Sequence, residues 1–199
     1  ELSKQLSLGL PKRHGLYDPA FEKDSCGVGF ICDIKGRASR EIIEQAGHIN
    51  CCMVHRGGVG YEQNTGDGAG ILMQLPDRFF RDEAKILGFE LPESGEYAVG
   101  MVFLPQEESH INVCTRAIEG AVRDEGQHLL GWRDVPVDNS CLGESVKPIE
   151  PVIRQIFIGR GGNCADTDAF ERKLYVIRKR AHHLVWDADI EDIRHFYIT

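Results

Sequence analysis

HRGGVGYEQNTGDGAGILMQL, residues 55–75, is the stretch on which the reading of this chain turns. Through Gly70 it is rich in glycine and has no hydrophobic period. That predicts a long loop, and long glycine-rich loops usually carry function. Residues 71–75 are an apolar run and predict a strand. Just upstream, Ile42, Ile43, Ala46, Ile49 and Met53 stand at helical spacing, which predicts a helix over residues 40–54. Further upstream, GVGFICDI at 27–34 predicts a short buried strand, while residues 1–25 show no sustained period and read as a leader or extended arm. Downstream, Pro76 suits the first turn of a helix carrying Phe79, Phe80, Ala84 and Leu87, with Gly88 as its stop. Residues 97–104 predict a strand, and Ile111, Cys114, Ala117, Ile118, Ala121 and Val122 a helical stripe. Residues 129–137 and 153–158 predict two more strands, the first ended by Pro136. The steps of 4, 3, 4 and 3 through Phe170, Leu174, Ile177, Ala181 and Leu184 predict a helix beginning near Asp168. A final strand is expected at 196–198, with the native domain continuing past it. The loose alternation permits either a parallel α/β sheet or a layered α/β sandwich.

Composition narrows the classes. The chain has 199 residues, 42% hydrophobic and 27% charged, as a globular protein does. Its net charge is −8, and no basic run argues for nucleic acid. No apolar stretch is long enough for a membrane span. The 7 cysteines are odd in number, irregularly spaced and without a CxxC, so neither a disulfide framework nor a zinc knuckle fits. A reducing, cytoplasmic setting is expected, with most cysteines as small buried hydrophobes.

Four features bear on chemistry. The GDGAG of 66–70 has the wrong spacing for a dinucleotide loop and precedes a strand instead of opening a helix. His182 and His183 are adjacent on a helix, point about 100° apart, and suit a helix C-terminus better than a metal. Cys26 sits in DSCGVGF (24–30), where a polar leader meets an apolar run, and on its own is either a buried hydrophobe or a nucleophile. Arg56, followed by two glycines, is either a surface turn or an anion binder.

Taken together, GLYDPAFEKDSCGVGF (15–30), HRGGVGYEQNTGDGAGILMQLPDRFF (55–80), YAVGMVFLP (97–105), LGWRDVPVD (130–138) and FERKLYVIRKRA (170–181) resemble the amino-terminal glutaminase domain of glutamate synthase large subunits. Those domains are class II glutamine amidotransferases of the N-terminal-nucleophile type. The resemblance implies a four-layer α/β/β/α sandwich, only partly present. Residues 1–25 would be a propeptide, cut between Ser25 and Cys26, and 26–199 the first part of the amidotransferase domain. Cys26 would be the nucleophile, with its freed α-amine as base, and Arg56 would bind the α-carboxylate of L-glutamine. The ammonia would pass to a synthase region that aminates 2-oxoglutarate.

Further parts of the large subunit, and a small FAD/iron–sulfur reductase subunit, are implied partners. FMN and an iron–sulfur cluster belong to later domains, and no cofactor or metal is expected here. The family's oxyanion hole uses an Asn-Gly pair, and this chain has no such dipeptide. It is therefore expected to be inactive alone. The alternatives are another class II amidotransferase, or a non-enzymatic α/β module in which Cys26 is structural.

Overall fold

The structure, a computed structural model, describes residues 13–16, 18, 27–58, 62, 64–66, 68–188, 190 and 195–199. It divides into two compact units, one within residues 1–61 and 66–73, the other within 62–65 and 74–199. Ser25 and Cys26 lie outside the described residues.

The first unit is built on helix α1, Arg40–Cys52. The Ser39 side chain accepts from the Ile42 N–H at 3.4 Å, so one of the helix's unpaired donors is satisfied at its start. Residues 27–33 run without regular structure and turn at Asp33, whose carboxylate accepts from the Lys35 N–H at 2.7 Å and pairs with Arg37. The strand expected at 27–34 is therefore not formed. Val28, Phe30 and Ile34 are 88%, 89% and 100% exposed. Residues 71–75, the other expected strand, are likewise irregular. Both runs have strand composition, but a strand exists only where a second backbone pairs with it, and no described strand pairs with either.

The second unit opens with α2 (Asp77–Leu87), which stops at Gly88 with φ of +81°. There follow β1 (Tyr97–Leu104), α3 (Glu108–Asp124), β2 (His128–Asp134), β3 (Val152–Gly159), α4 (Thr167–Asp187) and β4 (Tyr197–Ile198). The sheet order is β2-β3-β1-β4, and every neighbouring pair is antiparallel. A parallel sheet is thus excluded for these strands. The directions make β2 parallel to β1 and β4 parallel to β3, with one strand inserted in each case. Each such step needs a long crossover, which α3 and α4 supply. This is the split βαβ arrangement, repeated once.

Period-two alternation decides the layers. Val102, Leu104, Ile156, Ile158 and Ile198 point to one face, where they pack with Ile111, Cys114 and Ile118 of α3 and Phe170, Ile177 and Ala181 of α4. Phe157, between two of those isoleucines, points to the other face. It meets Phe80 of α2 at 5.3 Å, edge to face, and Phe89 at 5.2 Å. Polar bonds fix α2 on that face. Tyr97 donates to Asp77 at 2.9 Å, and burial followed by this bond pushes the phenol up to about 12. Arg133 of β2 donates to Glu83 at 2.7 Å and lies over the Phe79 ring.

Phe157 has no exposed surface and joins the two aromatic neighbours to the sheet. Phe157→Ala should cost about 3–5 kcal/mol, the usual range for deleting a buried ring. Chemical denaturation checks this, and a loss below about 1 kcal/mol would mean that the second face is not a packed core.

Candidate active site

Helix α1 ends at Cys52, and the chain continues into a 3-10 turn, Val54–Arg56. The turn is closed by the Arg56 N–H donating to the Met53 carbonyl at 2.8 Å and the Gly57 N–H donating to that of Val54 at 3.1 Å. His55 places Nδ1 3.0 Å from the Cys52 carbonyl oxygen. Arg56 is thus set on a short turn rather than on a free loop.

Ile49, Met53 and Arg56 step by four and three, so they share one face of this helical stretch. The segment after Cys26 lies along that face. A Cβ on Gly27 would come 2.8 Å from Met53 Sδ, and 3.2 and 3.3 Å from Arg56 Cβ and Cγ. A Cβ on Gly29 would come 2.5 Å from Ile49 Cγ2 and 3.0 Å from Met53 Cε. Neither position has room for a side chain without movement, so glycine at both is what permits the approach. Gly27 is covalently joined to Cys26. The two motifs that looked separate in sequence, CGVGF and HRG, therefore meet across the stem of Arg56. On the same helix, Asn50 Nδ2 reaches the Gly70 carbonyl at 3.5 Å, the long limit of a hydrogen bond, and draws in the end of the glycine-rich loop.

The other candidates resolve differently. Cys114 and Cys164 are buried, and burial pushes the Cys114 thiol up to about 11. Cys32, Cys51, Cys52 and Cys141 are exposed, so the expectation that most cysteines are buried does not hold. The reason for Cys51 and Cys52 is that α1 buries no residue fully. The run from Arg178 to His183 is not at a helix end, because α4 continues to Asp187. His182 stacks on Trp186 at 5.9 Å and on Phe196 at 6.3 Å, and burial, with the charges of its neighbours, lowers its pKa. The residue as a whole stays exposed, so these are surface ring contacts. Among the described residues no three His, Cys, Asp or Glu side chains are grouped so as to hold a metal ion. No described helix is long and apolar enough to cross a membrane.

The sequence reading missed Glu62. It lies within the glycine-rich loop, and its carboxylate accepts from three donors, the Ser145 N–H and hydroxyl and the Thr65 hydroxyl. A lone Glu in an aperiodic loop gives no signal, and its main partner is 83 residues away.

The family model of class II glutamine amidotransferases matches residues 26–199. The chain is 45% identical over 174 residues to the NADPH glutamate synthase large chain of Bacillus subtilis, covering 87% of this chain and 11% of that one. It is 44% identical over 181 residues to the NADH glutamate synthase of Schizosaccharomyces pombe, covering 88% and 9%. With ferredoxin-dependent glutamate synthase 2 of Synechocystis it shares 39% identity over 157 residues, covering 79% and 10%. The chain spans about a tenth of the length of these relatives.

Proposed function

The chain belongs to the class II glutamine amidotransferases, and from that premise we propose that it serves as the glutaminase of a glutamate synthase, with Cys26 as nucleophile. Supporting this most directly is the packing of Gly27, the residue after Cys26, on the stem of Arg56. That packing sets the residue after the proposed nucleophile against the aliphatic stem of the residue proposed to bind substrate, which supports the reading.

The chemistry follows in two steps. The Cys26 sulfur attacks the side-chain amide carbon of glutamine, its proton passing to the α-amine of the same residue. That amine, with a reference pKa of about 7.7–8.0, gives the proton to the leaving nitrogen, and ammonia departs from a glutamyl thioester. Water, deprotonated by the same amine, then releases glutamate and restores the thiol. For this the amine must be free, so the proposal includes removal of residues 1–25 by cleavage between Ser25 and Cys26. The start of the family match at residue 26 agrees with such a boundary.

In the intact enzyme the ammonia would go on to 2-oxoglutarate. The relatives are named for NADPH, NADH and ferredoxin, so the family alone does not choose the reductant. FMN and an iron–sulfur cluster are implied for later parts of the parent enzyme, and no step here runs through either. The same reading carries the four-layer sandwich. The exposed apolar runs at 27–34 and 71–75 have the composition of strands that such a sandwich would pair. A cytoplasmic setting and a small reductase subunit are part of the proposal.

Arg56 is proposed to bind the glutamine α-carboxylate through its planar fork. The contact of its Cβ and Cγ with Gly27 favours a second role, seating the residue that carries the nucleophile. Kinetics separate the two. Loss of a charged hydrogen bond costs about 1.5–3 kcal/mol, so Arg56→Ala should raise the glutamine KM roughly 10- to 150-fold. Arg56→Lys should recover little of it. A fall in kcat at unchanged KM would assign Arg56 to seating Cys26 alone. Ammonia release from glutamine by the intact protein, with labelling of Cys26 by a glutamine-like electrophile, tests the enzyme reading against a structural module.

A further inference from the structure

Helix α4 runs for 21 residues and carries two stripes. Phe170, Leu174, Ile177, Ala181 and Val185 recur at helical spacing and join the core. Arg172, Tyr175, Lys179, His182 and Trp186 recur at steps of 3, 4, 3 and 4. At about 100° per residue they share the opposite side of the helix. All five are exposed, Tyr175 by 58% and Trp186 by 41%. Rings and cations there touch one another. Lys179 Nζ lies 5.9 Å from the centre of the Tyr175 ring, and His182 stacks on Trp186. The charge is one-sided. Residues 172–186 hold five Lys or Arg and no Asp or Glu, in a chain whose net charge is −8. Lys173 and Arg180 turn to Glu125 and Asp124 at the end of α3, and Arg178 lies over the Tyr197 ring. Arg172 and Lys179 pair with no carboxylate among the described residues. A helix face made for water alone ordinarily mixes both signs of charge and carries few large rings.

Charge and chain length together choose the occupant. Cations that lack carboxylates, set beside aromatic rings, fit an acidic surface that also carries apolar groups. The chain spans about a tenth of the length of its relatives, so a glutamate synthase containing it has most of its polypeptide elsewhere. A surface tethered on the same chain meets its partner at high effective concentration. Contacts between domains of one chain are also more polar than obligate interfaces, as this face is. We propose that the outer face of α4 is a docking surface for an acidic, apolar-bearing surface on a later part of the same polypeptide. Tyr175 and Trp186 are its anchors, and Arg172 and Lys179 receive the carboxylates. This rests on the reading of the chain as part of a longer glutamate synthase, and not on the glutamine chemistry. Nucleic acid fits the face less well, because the net charge of the chain repels a polyanion.

The full-length enzyme tests this. Hydroxyl-radical labelling should find Tyr175 and Trp186 protected. Carbodiimide coupling, which joins a lysine amine to a carboxylate in contact with it, should link Lys179 to an Asp or Glu beyond residue 199 of the same polypeptide, as read by peptide mass. In the double variant Arg172→Glu/Lys179→Glu, repulsion replaces attraction, so labelling of Tyr175 and Trp186 should rise several-fold. Both positions are exposed, so the core should be unaffected, and unchanged amide exchange in β1 and β3 checks that. Full labelling of both rings in the unaltered enzyme would overturn the docking. Protection that survives the double reversal would overturn the acidic partner. Coupling of Lys179 between two copies would give the face to self-association, and protection lost on nuclease treatment would give it to nucleic acid; either result overturns the proposal. A mature polypeptide ending near residue 199 would overturn the longer-enzyme reading and the docking together, whereas open rings in a longer polypeptide overturn the docking alone.

Discussion

Cys26→Ala should end glutamine-dependent ammonia release, a fall of roughly 10⁴-fold or more, because no other group can form the thioester. The size of the effect follows from the kind of loss. Removing a hydrogen bond weakens one interaction in the transition state, whereas removing the nucleophile deletes the covalent route. Exposure alone does not identify the thiol. Four described cysteines, Cys32, Cys51, Cys52 and Cys141, are open to solvent. What distinguishes Cys26 is its covalent neighbour, Gly27, packed on the Arg56 stem. Alanine at Cys32 or Cys141 should therefore leave glutamine turnover near normal. In the intact enzyme, synthesis from added ammonia should survive Cys26→Ala, since that chemistry is done elsewhere. Near-normal glutamine turnover by the variant would return Cys26 to a structural role.

The elements of the second unit were legible because their signals are local. The run at 97–104 became β1 with the same limits, and the apolar steps from Phe170 to Leu184 became α4. The Asp166 side chain, accepting from the Ala169 N–H at 2.7 Å, set that helix's start. The order and direction of the strands were not legible. β1 pairs with β3, and Tyr97 faces Gly159 across a gap in which α3 and β2 intervene. Periodicity says which face a residue takes but not which strand lies beside it. The same limit explains the two misread strands. Residues 27–34 and 71–75 carry the composition of strands, and composition does not supply a partner.

The site was legible in part for a related reason. Residue type marked Cys26 and Arg56 as candidates, and the family resemblance gave them roles. What the structure adds is a steric link between Gly27 and the stem of Arg56, and it depends on what glycine lacks. Gly27 and Gly29 read in sequence as backbone freedom, yet their positions are set by Met53 and Ile49 on another segment. Glu62 was invisible for the same cause, since its donors are spread between Thr65 and Ser145.

An enzyme in which residues 1–25 cannot be removed should hydrolyse glutamine roughly 10²–10⁴-fold more slowly than the processed form, the range attributed to a positioned general base. The reasoning starts from the thiol. At a reference pKa of about 8.5 it is only a few per cent thiolate at neutral pH, so it needs a base within reach. His48 on α1 and His55 on the turn after it both lie against Cys52, one 3.6 Å from its sulfur and the other 3.0 Å from its carbonyl oxygen. The α-amine of Cys26 answers the need without a further side chain, but as a peptide nitrogen its lone pair is delocalised and takes no proton. A variant at Ser25 that blocks cleavage makes the comparison, with mass analysis of the amino terminus establishing which form is present. The sign of the pH dependence is fixed by the same group. The base works when neutral, so kcat/KM of the processed enzyme should rise with pH through an apparent pKa near 8. The blocked form should lack that step. Full activity in a protein shown by mass to retain residues 1–25 would exclude the amine as base, and a neighbouring side chain would have to take its place.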